Sequence, residues 1–569
     1  MFEPVSITPS ITAASVYRKV SWAILPLFCL ISGACYIDRT NLAFASLQLN
    51  RDLGFNAQVY GLGSGMFFLG YSLFMIPSNA LVTKLGAPRL LGILVTTWGC
   101  VAASFTSLTS ARQFYWLRFL LGAAEAGAFP GMWYYLGASS WGAGFQQLPV
   151  LPSGPDDGAA LRHGGRGGAA NVLSAPLAAA LLALGGAGGL AGWQWLFLLE
   201  GLATVALGVV TASCLPPSLS AAGFLTGHER HWLMQRMEAA GGGGSVVGGS
   251  SSGALLAGVS DRGAGSSSSA GCCGGGGRSP LLEALSNGRV WYVAAMGLLK
   301  NMASHGILFW APIITKALLE HRDMDPVQLD WTRHRGGDVV ATAGQPVGLG
   351  AAGELEDGDP LEGGAGAAGG AGGGLGGGGA AAAAHINTAA VLLTGIPFAC
   401  AAVMSLWLGR RSQAKHERSL HLAVPYLGAG LLLASLPRLA AASPPLALAA
   451  VSVAVACVQG TNSIINSYVP LVCPPGSAAV PLAMALYNAV ANLGGLLGPW
   501  LVGELVWRGG GYGDAFRVLG AVMGAAAVMA WRTRRWPRVN GPSSGGGAHE
   551  SGGPLGSKNS LELEEAVSF

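Results

Sequence analysis

The chain has 569 residues, of which 51% are hydrophobic and 11% charged, and its mean hydropathy is +0.47. Soluble proteins carry about 25% charged residues, so this deficit, with apolar runs of about 20 residues, excludes an ordinary soluble domain and indicates a polytopic protein of the lipid bilayer. The net charge of +4 points to no polyanionic partner, and no basic patch with interleaved aromatics points to nucleic acid.

The N-terminal stretch from Met1 to Tyr17 carries Ser, Thr and Glu3 but no Lys or Arg, which makes it a poor transit peptide. The first apolar segment, about 22–47, is too long for a signal-peptide core and contains charges, so a retained span is predicted. Further spans are predicted at about 58–82, 90–109, 114–137, 169–190, 192–213, 290–318, 387–408, 420–438, 445–471, 478–503 and 514–532. The expected fold class is therefore all-α, a polytopic membrane protein with twelve transmembrane helices in two six-helix halves, 22–213 and 290–532. Two such halves suggest a parallel repeat with a substrate site near the midplane between them.

Lys and Arg placement sets the orientation. With the N-terminus in the cytoplasm, twenty of the 32 Lys and Arg fall on that side, nine on the other, and Arg39, Arg118 and Lys300 lie inside spans. Both termini are expected to be cytoplasmic: 1–21 and the tail 533–569, with the central loop 214–289 on the same side. The Gly/Ser-rich tract 239–279 in that loop, and an insert at 319–385 facing outward, lack the periodicity to bury a core and are expected to be disordered. The Ala run near 379–384 could form a short helix. The nine cysteines are scattered, with no CxxC pair and no disulfide framework, and Cys272-Cys273 in the Gly/Ser tract suggests no metal site. No cofactor is expected.

Asp38 and Arg39 sit side by side inside the first span, where a charge costs roughly 2.5–3.5 kcal/mol on insertion scales. Adjacent helical residues point about 100° apart, so the two need not pair. One could face a cavity while the other meets Arg118 or Glu125 of the fourth span. Those two are seven apart and share a helix face. They read either as a structural charge pair or as parts of a coupling and binding site. Arg39 is the strongest candidate for substrate contact, because a guanidinium clasps a carboxylate bidentately. The remaining ionisable groups in spans are Glu200, Lys300 and His305. Glu200 and Lys300, nearer their span ends, could snorkel or pair structurally. His305 reads either as a packed histidine or as a proton relay.

Asp38, Glu125 and Glu200 balance Arg39, Arg118 and Lys300 three against three. An entering anion would leave uncompensated negative charge, which protonation of Asp38 or Glu125 would cancel. Anion entry is therefore expected to accompany proton entry. Asn488 and Asn492, one turn apart on the eleventh span, could offer amides to a ligand or bond between helices. Tyr36, Phe67, Tyr71, Trp133 and Tyr134 could line a cavity or simply pack.

Several phrases together resemble the anion:cation symporter family of the major facilitator superfamily, which includes allantoate, nicotinate, tartrate and phthalate permeases. They are Tyr36-Ile-Asp-Arg-Thr-Asn-Leu-Ala-Phe44, Gly70-Tyr71-Ser-Leu-Phe-Met-Ile-Pro77-Ser78-Asn79, Arg118 to Gly131, Gly192 to Gly201, Phe309-Trp-Ala-Pro312, Gly395-Ile-Pro397, Trp407 to Ser412, and Asn492 to Pro499. The resemblance implies proton- or sodium-driven symport of organic anions by alternating access. It implies proton coupling and carboxylate binding at Asp38, Arg39, Arg118 and Glu125, and substrate contact at Tyr71. The chain departs from the pattern at Thr83 before Lys84, at Gln413, across Trp141 to Gly168, and in the fifth span, where no polar substrate contact is assignable.

The expected function is secondary active, proton-coupled symport of a small carboxylate. Arg39, Tyr71, Arg118, Asn488 and Asn492 are expected at the substrate and Asp38, Glu125 and His305 in proton coupling, with sodium the less favoured cation. A carrier of neutral solutes or drugs, or a transport-inactive nutrient sensor, are the alternatives. No catalytic constellation supports an enzyme. The plasma membrane is the expected location, with an organelle membrane as the alternative.

Overall fold

The computed structural model describes residues 13–136, 172–216, 222–232, 280–320, 376–415, 417–474 and 479–536. The Gly/Ser tract 239–279, the altered stretch from Trp141 to Gly168, the bulk of the 319–385 insert and most of the tail lie outside the described residues, as do the side chains of Thr83, Trp133 and Tyr134.

Every predicted span contains helix. A backbone in hydrocarbon must satisfy its own N–H and C=O groups, and a helix does so within one segment. The spans are the first, Ala13–Leu53; second, Ala57–Leu85; third, Ala87–Ser104; fourth, Ala111–Glu125 with Ala128–Leu136; fifth, Val172–Leu182; and sixth, Gly192–Cys214. The second half holds the seventh, Gly288–Leu319; eighth, Gly376–Leu393 with Gly395–Ala414; ninth, Ser419–Ala442; tenth, Pro444–Gly460 with two short turns to Val472; eleventh, Val480–Trp507; and twelfth, Gly511–Arg532. The Ala run at 379–384 is the start of the eighth span. Among the described residues ten helices are long and apolar enough to cross a membrane. Asn56, Ser110 and Asn287 cap the second, fourth and seventh spans by accepting from the N–H of Val59, Gln113 and Arg289.

Four spans depart from unbroken helices: the eighth is interrupted at Thr394 and the tenth at Thr461 and Ser467, and the fourth and fifth change more. The fourth breaks just after Glu125, because Pro130 has no N–H to give the Ala126 carbonyl. The fifth, predicted over 169–190, is α-helical among the described residues over Val172–Leu182 and ends eight residues before the predicted C-terminal boundary. Glycine ends it: Gly186, Gly188 and Gly189 take φ of 95°, 60° and 76°, a region that L side chains avoid.

Lipid replaces water around this fold, so large apolar side chains such as Trp22, Leu73, Ile76 and Val403 stay exposed on the outer faces. Packing inside uses small residues, as expected where no hydrophobic drive separates helix from lipid. A Cβ on Gly122 would overlap the Phe67 carbonyl oxygen, and one on Gly70 the Phe119 carbonyl oxygen, so the second and fourth spans touch backbone to backbone. Gly122→Val should therefore lower stability by about 1–3 kcal/mol or more, read as an earlier thermal transition in detergent. The halves meet through the second and eleventh spans, where Gly61 abuts the Pro499 carbonyl and Gly503 that of Ala57. Tyr60 donates to the Phe309 carbonyl at 2.8 Å, and Gln58 to Glu504 at 3.0 Å.

Near the start of the first span, Lys19 donates to Glu229 at 2.6 Å. Glu229 and Thr226 also form a reciprocal cap, Thr226 N–H to Glu229 at 3.0 Å and Glu229 N–H to the Thr226 hydroxyl at 3.3 Å. The Lys19 bond, followed by the Thr226 amide, holds the Glu229 carboxyl below its ordinary range. A lowered carboxyl stabilises the fold above its ordinary pKa and loses that contribution as pH falls through the lowered value.

Candidate functional site

The first span presents Asp38 and Arg39 to different neighbours, as their 100° offset requires. Arg39 reaches the fourth span and donates to Glu125 Oε1 through Nε at 2.9 Å and through Nη2. Asp38, 4% exposed, turns to the third span and accepts from the indole N–H of Trp98. The two adjacent charges thus join three spans without touching each other.

Arg118 and Glu125 share a face but form no ion pair. Glu125 is fully buried and its partner is Arg39. Arg118, also fully buried, gives one N–H to the Ser64 carbonyl at 3.4 Å, while Nε and Nη1 have no hydrogen-bond partner among the described residues. Its guanidinium lies over Phe67 at 5.1 Å and Phe309 at 5.7 Å. Arg39 lies over the same Phe67 ring at 5.4 Å, Tyr71 at 5.0 Å and Phe129 at 5.8 Å. Ring faces attract cations, more so away from water, so these aromatics hold both guanidiniums in place. Tyr71 stacks on Phe67 with ring centroids 5.9 Å apart. Tyr36 packs edge-on against Phe129 instead.

In the second half, Lys300 does not snorkel, and among the described residues it pairs with no acid. It lies well inside the Gly288–Leu319 helix, is 4% exposed, and donates to the amide oxygens of Asn301, at 2.8 Å, and Asn462 of the tenth span. Burial at that depth leaves its ammonium no route to the interface. Glu200 likewise finds no basic partner among the described residues: both its carboxyl oxygens are sealed from solvent without a hydrogen bond there. His305 donates through Nδ1 to the Asn301 carbonyl, 2.9 Å away, and its ring packs edge-on to Phe68 at 4.3 Å.

Asn488 and Asn492 remain half-buried, with no hydrogen-bond partner among the described residues. Their face is fixed by their neighbours on the helix. Ala491 and Gly494 pack against the seventh span, while Gly495 and Leu496 meet Phe68 and Gly65 of the second. The two amides fall on the side turned toward the second span, at the seam between the halves.

Trp98, Phe129, Asn301 and Asn462 escaped the sequence reading. Trp98, Phe129 and Asn462 act on residues of other spans, and periodicity along one helix carries no record of such contacts; Asn301 is the chain neighbour of Lys300 and also donates to the Ala491 carbonyl of the eleventh span.

The profile of the Major Facilitator Superfamily matches residues 28–352 of this chain. A putative tartrate transporter of Agrobacterium vitis is 39% identical over 230 residues, which cover 40% of this chain and 48% of that protein. The putative metabolite transport protein NicT of Pseudomonas putida is 37% identical over 226 residues, covering 40% and 49%. The chain thus spans about half the length of the curated relatives it matches. Among solved structures, a D-xylose-proton symporter superposes with a TM-score of 0.56 at 13% identity, over 91% of this chain and 98% of that one, a likeness of fold. With more than half of its length matched by the superfamily profile, and a helical membrane fold to go with it, the chain belongs to the Major Facilitator Superfamily.

Proposed function

We propose that this protein is a proton-coupled symporter of a small organic anion, working by alternating access between its two halves. The observation that carries the reading is the bond of Arg39 to Glu125. A guanidinium that clasps the carboxylate of Glu125 is satisfied and unavailable. Protonation of Glu125 weakens that clasp and frees Arg39 for a substrate carboxylate of the same geometry. Proton and anion then enter together, with the charge of the site unchanged. The similarity to a putative tartrate transporter supports the substrate class.

In this reading Arg39 receives the carboxylate, while Tyr71 and Phe67 hold its guanidinium in position and Arg118 adds positive potential from behind the same ring. Asp38, on its Trp98 donor, is the second proton site. His305 joins the route between halves, and Asn488 and Asn492 hydrogen-bond the substrate. The six spans before residue 214 and those after 289 move as the two rocking bodies, with the termini in the cytoplasm.

Purified protein in liposomes with an alkaline lumen should accumulate a labelled carboxylate such as tartrate, and the accumulation should collapse when the pH difference is dissipated. Uptake inhibited by neutral solutes but not by carboxylates would replace the anion reading with a neutral-solute carrier. Carboxylate binding without flux would replace it with a sensor.

A further inference from the structure

Four arginines gather where the seventh span begins and the twelfth ends. Arg532, Arg534 and Arg535 close the twelfth span and are exposed, and Arg289 opens the seventh and is half-buried. The two span ends touch. The Tyr292 hydroxyl donates to the Met529 carbonyl at 3.0 Å, and its ring meets Trp536 edge-on at 5.2 Å. Arg289 lies over the same Trp536 ring at 5.7 Å, and Arg534 over Trp531 at 4.6 Å. Arg532 is within electrostatic range of Tyr292. Among the described residues no ion pair joins any of the four to a carboxylate. Glu417, before the ninth span, directs its oxygens to the N–H groups of Leu420 and His421 and to the His421 ring. The described residues therefore leave the mutual repulsion of four guanidiniums uncompensated, and the potential there favours an anion.

The cluster is also held rigidly. Thr533, between Arg532 and Arg534, is buried and closes a ring of hydroxyls with Ser419 and Tyr468, their oxygens 2.8 and 2.9 Å apart. This ring ties the turn Thr533–Arg535 to the start of the ninth span and to the turns after the tenth. The Trp536 N–H closes the turn on the Thr533 carbonyl at 3.0 Å. Guanidiniums fixed by a tied backbone and by ring faces lose less freedom when they meet an anion. Around them Leu282, Leu285, Trp291 and Trp531 are exposed, as are the lipid-facing side chains elsewhere in this fold. Trp291 donates to the Leu285 carbonyl at 2.9 Å, which folds the short helix Pro280–Ser286 back on the start of the seventh span. Trp and Tyr at span ends mark the headgroup level of the bilayer. Positive charge, headgroup level and an apolar wall thus coincide at one corner.

We propose that this corner binds an anionic phospholipid, its phosphate on the arginines and its acyl chains along Leu282, Leu285 and Trp291. A guanidinium meets phosphate through two parallel N–H groups, and basic pockets between spans at the interface take anionic headgroups. The occupant is a lipid rather than a soluble phosphate because the apolar wall adjoins the cations. The inference does not depend on the transport reading above.

The test is native mass spectrometry of the purified full-length protein in detergent, titrated with phosphatidylglycerol or phosphatidylcholine of identical acyl chains. Wild-type protein should bind phosphatidylglycerol at least about tenfold more tightly than phosphatidylcholine. Arg532→Gln, Arg534→Gln and Arg535→Gln combined should weaken phosphatidylglycerol by about 100-fold, roughly fivefold per arginine, and move phosphatidylcholine by less than about twofold. Arg289→Gln alone should weaken phosphatidylglycerol by about fivefold. Arg410 and Arg411, exposed at the end of the eighth span, are the control for charge alone, since they lie at the same end of the bundle. Arg410→Gln with Arg411→Gln should change phosphatidylglycerol binding by less than about twofold. Equal binding of the two lipids by wild-type protein overturns the proposal without need of any variant. An equal loss per charge removed in the control pair reduces the effect to net charge and also overturns it. Inorganic phosphate should leave the bound lipid in place, and its displacement by inorganic phosphate would reassign the corner to a soluble ligand.

Discussion

Arg39→Ala should lower carboxylate uptake by at least about 100-fold, because the bidentate charge-assisted contact contributes roughly 3 kcal/mol or more to binding. The same change strips Glu125 of its counter-charge in a fully buried position. Breaking a buried pair from one side destabilises by about 3–5 kcal/mol, so the variant should also melt earlier in detergent. The double variant Arg39→Ala with Glu125→Gln separates the two effects. It removes the stranded carboxylate, so stability should return toward the wild-type value while uptake stays absent. Recovery of uptake in the double variant would mean that Arg39 serves the fold alone.

Glu125→Gln should uncouple the carrier. Gln cannot take up a proton, and its amide oxygen holds the Arg39 guanidinium less tightly than a carboxylate does. Arg39 is then free for substrate at every pH. Exchange of internal for external substrate should persist, with an affinity at least as high as wild type and flat across about pH 5 to 8, while accumulation driven by a pH difference disappears. Substrate/substrate exchange and pH-driven net uptake, measured side by side, check this. Undiminished stimulation by the pH difference would remove Glu125 from the coupling role.

The fold was largely legible because hydrocarbon enforces simple rules. Apolar length marks each span, and the six-and-six division follows from the long polar break after Cys214. Two local features needed structure. Pro130 splits the fourth span next to Glu125, and the cluster at Gly185–Gly189 cuts the fifth short. Both sets of residues are plain in the sequence, yet proline and glycine are tolerated in many membrane helices, so their effect depends on neighbours.

Charges in apolar runs announce themselves, which is why Asp38, Arg39, Arg118, Glu125 and Lys300 were visible from the residues alone. Their pairing was not. The i, i+7 relation places Arg118 and Glu125 on one face, but each is taken by a residue from another span: Glu125 by Arg39, Arg118 by Phe67 and Phe309. Likewise Trp98 reaches Asp38 across sixty positions of chain. Such contacts are set by how helices cross, and the packing glycines at 70 and 122 decide that crossing.

The most direct test of the account reads proton and substrate in one vessel. Liposomes carrying the purified protein and an internal pH dye, with an alkaline lumen, receive an unlabelled carboxylate outside. The account predicts that adding substrate acidifies the lumen, in proportion to the substrate taken up, and that Glu125→Gln abolishes the acidification. Substrate accumulation with no accompanying proton entry, or accumulation that requires sodium, would contradict it.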